Sequence, residues 1–267
     1  MPTQDNDKII ALLIDAENVS PAYIKVIVDE LSMHGTPAYK RIYGDWTSAE
    51  MAGWKKVLLE NNLVPVQQFS YTQGKNASDS AMIIDAMDIL YTKNCDGFCL
   101  VSSDSDFTRL ASRLRESRMT VIGMGESKTP MAFKSACDTF KYLDVLLAAK
   151  TKQEQKKPAA KPKAAKNKDK EEAGKPGGAE AKSAEAPGFV PLEQIIEKIR
   201  DIIEHDSGED GYMQLSQVGS ILGRLYADFD TRNYGFSKLH KLIDSTGVFA
   251  TCFDETPGSQ NLMIKNK

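Results

Sequence analysis

Asp15 directly follows the apolar run KIIALLI at 8–14, and Asp104 and Asp106 follow the run GFCLV at 97–101 through Ser102-Ser103. Asp79 heads a third stretch, DSAMIIDAMD, which comes after a polar loop. In an open parallel sheet, ligands bind beyond the carboxyl ends of the strands. If the two apolar runs are parallel strands, their aspartates share that edge, and Asp79 can reach it from the start of its helix. Carboxylates crowded together repel and raise one another's pKa. A hard divalent cation, Mg²⁺ or Mn²⁺, relieves the repulsion and favours such oxygen ligands. A cation held there lowers the pKa of a bound water and clamps phosphate oxygens during in-line attack. That chemistry cleaves phosphodiesters.

Each residue also has a simpler account. Ser103-Asp-Ser-Asp106 has the spacing of a helix cap, and Asn18 either joins the site or stabilises the loop before Ser20. Asp85 lies six residues beyond Asp79, about 120° away around a helix, so it supports a water or another ligand instead of sharing one ion. Asp88 reads as solvated surface. Lys75 either contacts phosphate or is an exposed loop lysine. Gly123-Met-Gly125 lacks the full dinucleotide fingerprint and reads as a turn. Cys95, Cys99, Cys137 and Cys252 include no CxxC pair, and His34, His205 and His240 are scattered, so zinc-ligand spacing is absent. Asp15-Ala-Glu17 does not meet the Asp-x-Asp that a phosphatase would carry after its first strand.

The elements that must position these groups alternate short apolar runs with amphipathic stretches. Strands are expected at 8–14, 38–43, 63–69, 97–101 and 119–123. The third holds Pro65, which suits an edge. Helices are expected from Ser20-Pro21 to near Gly35, from the capping box at Thr47 to about Asn61, over 79–91, over 106–118 and over 130–137. Repeated βα units argue for a parallel sheet with helices on both faces.

The 267 residues carry a net charge of −3, too little to argue for nucleic acid by itself. The charge is uneven: both ends are acidic and residues 150–187 are basic. That middle segment is Lys, Ala, Pro, Gly and Glu with almost no large apolar side chain, the composition of a flexible linker. It divides the chain into domains at 1–149 and 188–267. The second has three amphipathic helices, at 191–204, around 215–225 and around 239–243, then strands VFATCF and NLMIK with a turn at Pro257-Gly258. That is the order of a winged-helix domain. The polar opening MPTQDNDK lacks a signal peptide's apolar core, no apolar run approaches a membrane span of about 20 residues, and free thiols suit a reducing compartment. A cytoplasmic location is expected.

The runs LLIDAENVS, KNASDSAMIIDAMD and CLVSSDSDFTRL resemble the three motifs of the NYN domain, a branch of the PIN-like nucleases, and VIGMGES…ACDTFKYLD is similar to its final strand and helix. The resemblance covers residues 8–145 and implies a three-layer, Rossmann-like α/β fold and metal-dependent RNA cleavage. Carried over, Asp15, Asp79 and Asp104 are the principal acidic residues, Asp106 is the fourth ligand or water-orienting base, and Asn18 and Asp85 support them. The family often has Gly in the turn before its last strand, where Ser117-Arg118 stand here. The stretch LSQVGSILGRLYADFDTRNYGFSKLHKLIDSTGVFA resembles the LOTUS, or OST-type helix-turn-helix, domain. Arg232, Tyr234, Lys238 and Lys241 would then form a basic and aromatic face for RNA, although Tyr234 and Phe236 also read as core. LOTUS domains take RNA or protein partners, and both stay open. The resulting expectation is a ribonuclease whose tethered second domain recruits RNA or a partner; the alternative is a non-catalytic RNA-binding adaptor.

Overall fold

Every side chain of β1 (Ile9–Asp15) beyond Ile9 is buried, as a strand requires when helices cover both faces of its sheet. Ile10, Leu12 and Ile14 enter one apolar layer, while Ala11 and Leu13 enter the other. The computed structural model describes residues 8–69, 77–155, 189–208, 210–253 and 261–267. Around β1 it builds a six-stranded sheet in the order β3-β2-β1-β4-β5-β6, with β2 at Thr36–Gly44, β3 at Val64–Gln67, β4 at Gly97–Val101, β5 at Thr120–Gly125 and β6 at Thr139–Tyr142. All five pairings are parallel. The strand order reverses between β1 and β4, which opens a crevice at their carboxyl ends.

Helices α1 (Ile24–Leu31), α2 (Ala52–Lys55) and α6 (Leu143–Gln155) cover the face reached by Ile10, Leu12 and Ile14. The opposite face is covered by α3 (Ala77–Thr92), α4 (Thr108–Glu116) and α5 (Met131–Ala136). The sheet and its two helical layers match the three-layer architecture expected. Some elements differ. The helix expected over 47–61 is a short 3-10 turn and the four residues of α2. Trp54 is buried there with its indole N–H donating to the carbonyls of Ala16 and Val19, and this tertiary anchor overrides the local pattern. Gly123 and Gly125 lie inside β5, not in a turn. Helix α6 continues to Gln155, so the segment read as linker begins within a helix; residues 156–188 lie outside the described ones.

The second domain comprises α7 (Leu192–Asp206), β7 (Met213–Gln214), α8 (Leu215–Leu225), α9 (Leu239–Thr246), β8 (Phe249–Phe253) and β9 (Leu262–Asn266). Its strands form a small antiparallel sheet in the order β7-β9-β8. The two-residue β7 has no signature of its own in the sequence. The turn expected at Pro257-Gly258 is outside the described residues.

This domain is docked on the first. The amide of Phe140, in the edge strand β6, donates to the carbonyl of Ala227 at 2.7 Å, so the open edge is partly paired. Tyr142 donates its hydroxyl to Asp228 at 2.6 Å. Arg232 makes a two-pronged pair with Glu30, 2.8 Å at each nitrogen, and also bonds Asp230, which Lys141 approaches to 2.7 Å. Aromatic rings continue across the boundary from Phe140 through Tyr142 and Phe189 to Tyr234.

Candidate active site

Asp15 shares the parity of Ala11 and Leu13, so its side chain emerges toward the α3 and α4 layer. It is only 1% exposed. One carboxylate oxygen accepts from the Ser102 hydroxyl at 2.7 Å and the Asn18 amide at 2.8 Å; the other accepts backbone N–H groups of Glu17 and Asn18. Burial pushes its pKa up, and these hydrogen bonds pull against that.

The chain leaves β4 through Ser102, which is fully buried. Its hydroxyl accepts the Asp104 amide at 3.0 Å while donating to Asp15. Asp104 then caps the 3-10 turn Ser105–Phe107, accepting from the Asp106 amide at 2.9 Å through Oδ1. The capping expected from the spacing is therefore present, and it uses one oxygen of a carboxylate that has two. Asp79, in the first turn of α3, is buried at 7% exposure. Ligand oxygens of Asp79, Asp104 and Asp106 all lie within 4.8 Å of one another. Two anchored strand ends and one helix start thus bring together residues far apart in the chain.

The electrostatics of the group favour a cation. The pKa of Asp79 is pushed up to about 7 by burial first, then by repulsion from Asp15, Asp104, Glu17 and Asp106. A carboxylate that cannot readily ionise beside its neighbours is what a divalent ion would relieve. Carboxylate oxygens are the donors Mg²⁺ and Mn²⁺ prefer, so the residues present fit such an ion. Asp15 stands behind the three-carboxylate group, its oxygens held by Ser102, Asn18 and the turn.

Other expected residues are placed elsewhere. Asp85 accepts from both Arg41 and Tyr43, which commits it to packing α3 on β2. Asn18 meets the site through Asp15. Lys75 lies outside the described residues. Arg232 is committed to Glu30 and Asp230, and the Tyr234 hydroxyl donates to the Val190 carbonyl at 2.7 Å. Only Lys238 and Lys241 of the expected RNA face are exposed. Glu17 was missed although it stands two residues from Asp15; its carboxylate accepts the Asp45 amide at 3.3 Å and adds to the field at Asp79.

A family model described as the NYN domain matches residues 9–144, and one described as the OST-HTH/LOTUS domain matches 191–259. No curated protein matches the chain. A crystal structure of a protein of unknown function from Vibrio parahaemolyticus is similar, at 18% identity and a TM-score of 0.44, covering 52% of this chain and 94% of that one.

Proposed function

Because this chain belongs to the NYN domain family, a branch of the PIN-like nucleases, and continues into an OST-HTH/LOTUS domain, we propose that it is a metal-dependent ribonuclease. The observation that carries the reading is the convergence of Asp79, Asp104 and Asp106 at the β1/β4 crevice, backed by Asp15. When bound, Mg²⁺ or Mn²⁺ would supply a nucleophilic water and a clamp on the phosphate oxygens. Asp79, Asp104 and Asp106 would hold it. Asp15 keeps Ser102 and the capped turn in register and adds negative charge behind the ligands. Asp106, which is exposed, would orient water toward a phosphodiester. The docked domain adds lysines for RNA, and a protein partner is the other occupant its family allows. Among the described residues, no helix is long and apolar enough to cross a membrane.

The test is cleavage of labelled single-stranded and structured RNA with Mn²⁺, Mg²⁺ or EDTA, comparing wild type with Asp104→Asn. Metal-dependent products from wild type alone support the reading. RNA binding without cleavage under every condition would replace it with the adaptor.

A further inference from the structure

Docking of the second domain creates a groove that neither domain has alone. Between α6 and the segment before α9, a cavity of about 670 Å³ is lined by Val145, Ala148 and Lys152 from the first domain and Phe236, Ser237 and Lys241 from the second. The volume lies within the range of clefts that enclose a small ligand, roughly 300–1,000 Å³. Its floor is small and apolar, and Phe236 supplies an aromatic wall. Lys152 and Lys241 are both exposed, as is Lys238 beside Ser237. Among the described residues, no ion pair engages these three lysines, whereas Arg232 at the same groove is neutralised by Glu30 and Asp230 and Lys150 is paired with Asp29. The groove therefore combines an apolar, aromatic interior with cations supplied from opposite sides.

We propose that this interdomain groove binds single-stranded RNA, with an unpaired base against Phe236 and flanking phosphates on Lys152 and Lys241. The assignment rests on the reading of the chain as one that acts on RNA. Unpaired bases can leave their stack and fill an apolar cleft, with aromatic contact and phosphate pairing in parallel. A duplex hides those faces and offers only its backbone and groove edges. The residues come from both domains, so the site depends on their docking and differs from a patch on the second domain alone. An acidic peptide would meet the lysines but has no base to place against Phe236.

The test measures binding of an end-labelled short oligouridylate to full-length protein in EDTA, by fluorescence anisotropy across a salt series. Lys152→Glu and Lys241→Glu are each expected to weaken binding about tenfold and to lower the salt slope by about 0.7, one single-strand phosphate contact. Both residues are exposed, so melting temperatures should not change. Lys93→Glu alters net charge equally on an exposed turn after α3 and should leave binding near wild type. Equal loss from Lys93→Glu would reduce the effect to general polyanion attraction and overturn the site. Loss from Lys241→Glu without loss from Lys152→Glu would place binding on the second domain alone. No oligouridylate binding, together with saturable binding of labelled polyglutamate that Lys152→Glu and Lys241→Glu weaken, would make the groove a protein-docking site. No ion is present and no cleavage is read, so failure of the nuclease assay and failure of this assignment are separate results.

Discussion

Ser102 donates to Asp15 across the β1/β4 boundary at 2.7 Å, and both side chains are cut off from water. The same hydroxyl accepts the Asp104 amide, so one oxygen ties the principal acid of one strand to the loop carrying the next two. Asp15 is held in place by this relay, and Asp104 receives a fixed backbone from which to cap its turn.

Ser102→Ala should therefore act on both stability and turnover. The alanine loses both hydrogen bonds of this hydroxyl, and stripping one from a buried carboxylate alone costs about 1–3 kcal/mol, readable in urea unfolding. Cleavage should fall mainly in kcat, with KM little changed, because the loop is displaced without loss of a substrate contact. Ser102→Thr keeps the hydroxyl and should restore much of the rate. Equal activity in the alanine and serine proteins would remove Ser102 from the positioning of the site.

Asp79 predicts a link between pH and cation. Its pKa near 7, against an ordinary value of 3.8, means that the folded, metal-free protein holds a proton there which the unfolded chain releases. This stabilisation is fully present below the unfolded value and is lost as pH rises through about 7. The metal-free protein should melt lower at pH 8 than at pH 6 on this account, and Mn²⁺ should raise the melting temperature more at pH 8. Asp79→Asn should flatten both trends. A cation response independent of pH in the wild type would separate Asp79 from the ion.

Much of this was legible in the sequence. The runs KIIALLI and GFCLV are apolar at both parities, which only a strand covered on two faces demands, and an aspartate after such a run can only emerge at the ligand-binding edge. What could not be read depends on distant partners. Arg232 looks like a nucleic-acid contact because its carboxylate Glu30 lies some two hundred residues earlier, on a helix of the other domain. Tyr234 reads equally as RNA face or as core, and only Phe189 and Val190 folded against it decide for the core. The two residues of β7 exist as a strand only through β9. Asp85 had the right type and helix for the site, but Arg41 and Tyr43 on β2 decide where its side chain goes.

The interdomain pair yields a stability prediction. Glu30 is 4% exposed, and Arg232→Ala would leave it with Lys141 and the neighbouring His34 imidazole, and Asp230 with Lys141. Breaking a buried pair from one side costs roughly 3–5 kcal/mol. The variant should unfold in two steps as the domains separate, against one concerted step for wild type. Arg232→Lys should rescue poorly, since an ammonium cannot reproduce the two parallel bonds. A single unchanged transition in the alanine variant would show that the seam does not depend on this arginine.

The same cluster sets an acid limit. Burial would raise the Glu30 pKa, but His34, Arg232 and Lys141 outweigh it and hold the group at about 2, below its ordinary 4.5; Asp230 is likewise held well below the usual carboxylate range. A lowered acid contributes stability above its unfolded value and loses it as pH falls through the folded one. Small-angle scattering should show the domains parting between about pH 4.5 and 2. Glu30→Gln should shift that separation toward neutral pH, because the amide supplies no charge for Arg232. Domains that stay together throughout this range would assign the docking to Phe140, Tyr142 and the aromatic rings instead.

Gly125 offers a test of the active-site loop from the neighbouring strand. A Cβ at this position would stand 2.6 Å from the Ser102 carbonyl and 2.6 Å from Thr129 Oγ1. Both are held: the Ser102 amide bonds the Met124 carbonyl, and Thr129 donates to the Glu126 carbonyl. Gly125→Ala should therefore cost about 1–3 kcal/mol by overpacking and should reduce cleavage by moving Ser102 away from Asp15. Gly223, in α8, has nothing within 4 Å of a Cβ, and alanine there should stabilise by about 0.5–1 kcal/mol through helix propensity alone. The two substitutions add the same methyl group and are expected to have opposite signs. If Gly125→Ala instead matched wild type in both stability and cleavage, the strand would have yielded without disturbing the loop, and the Ser102 backbone could not be what fixes Asp104 beside Asp79.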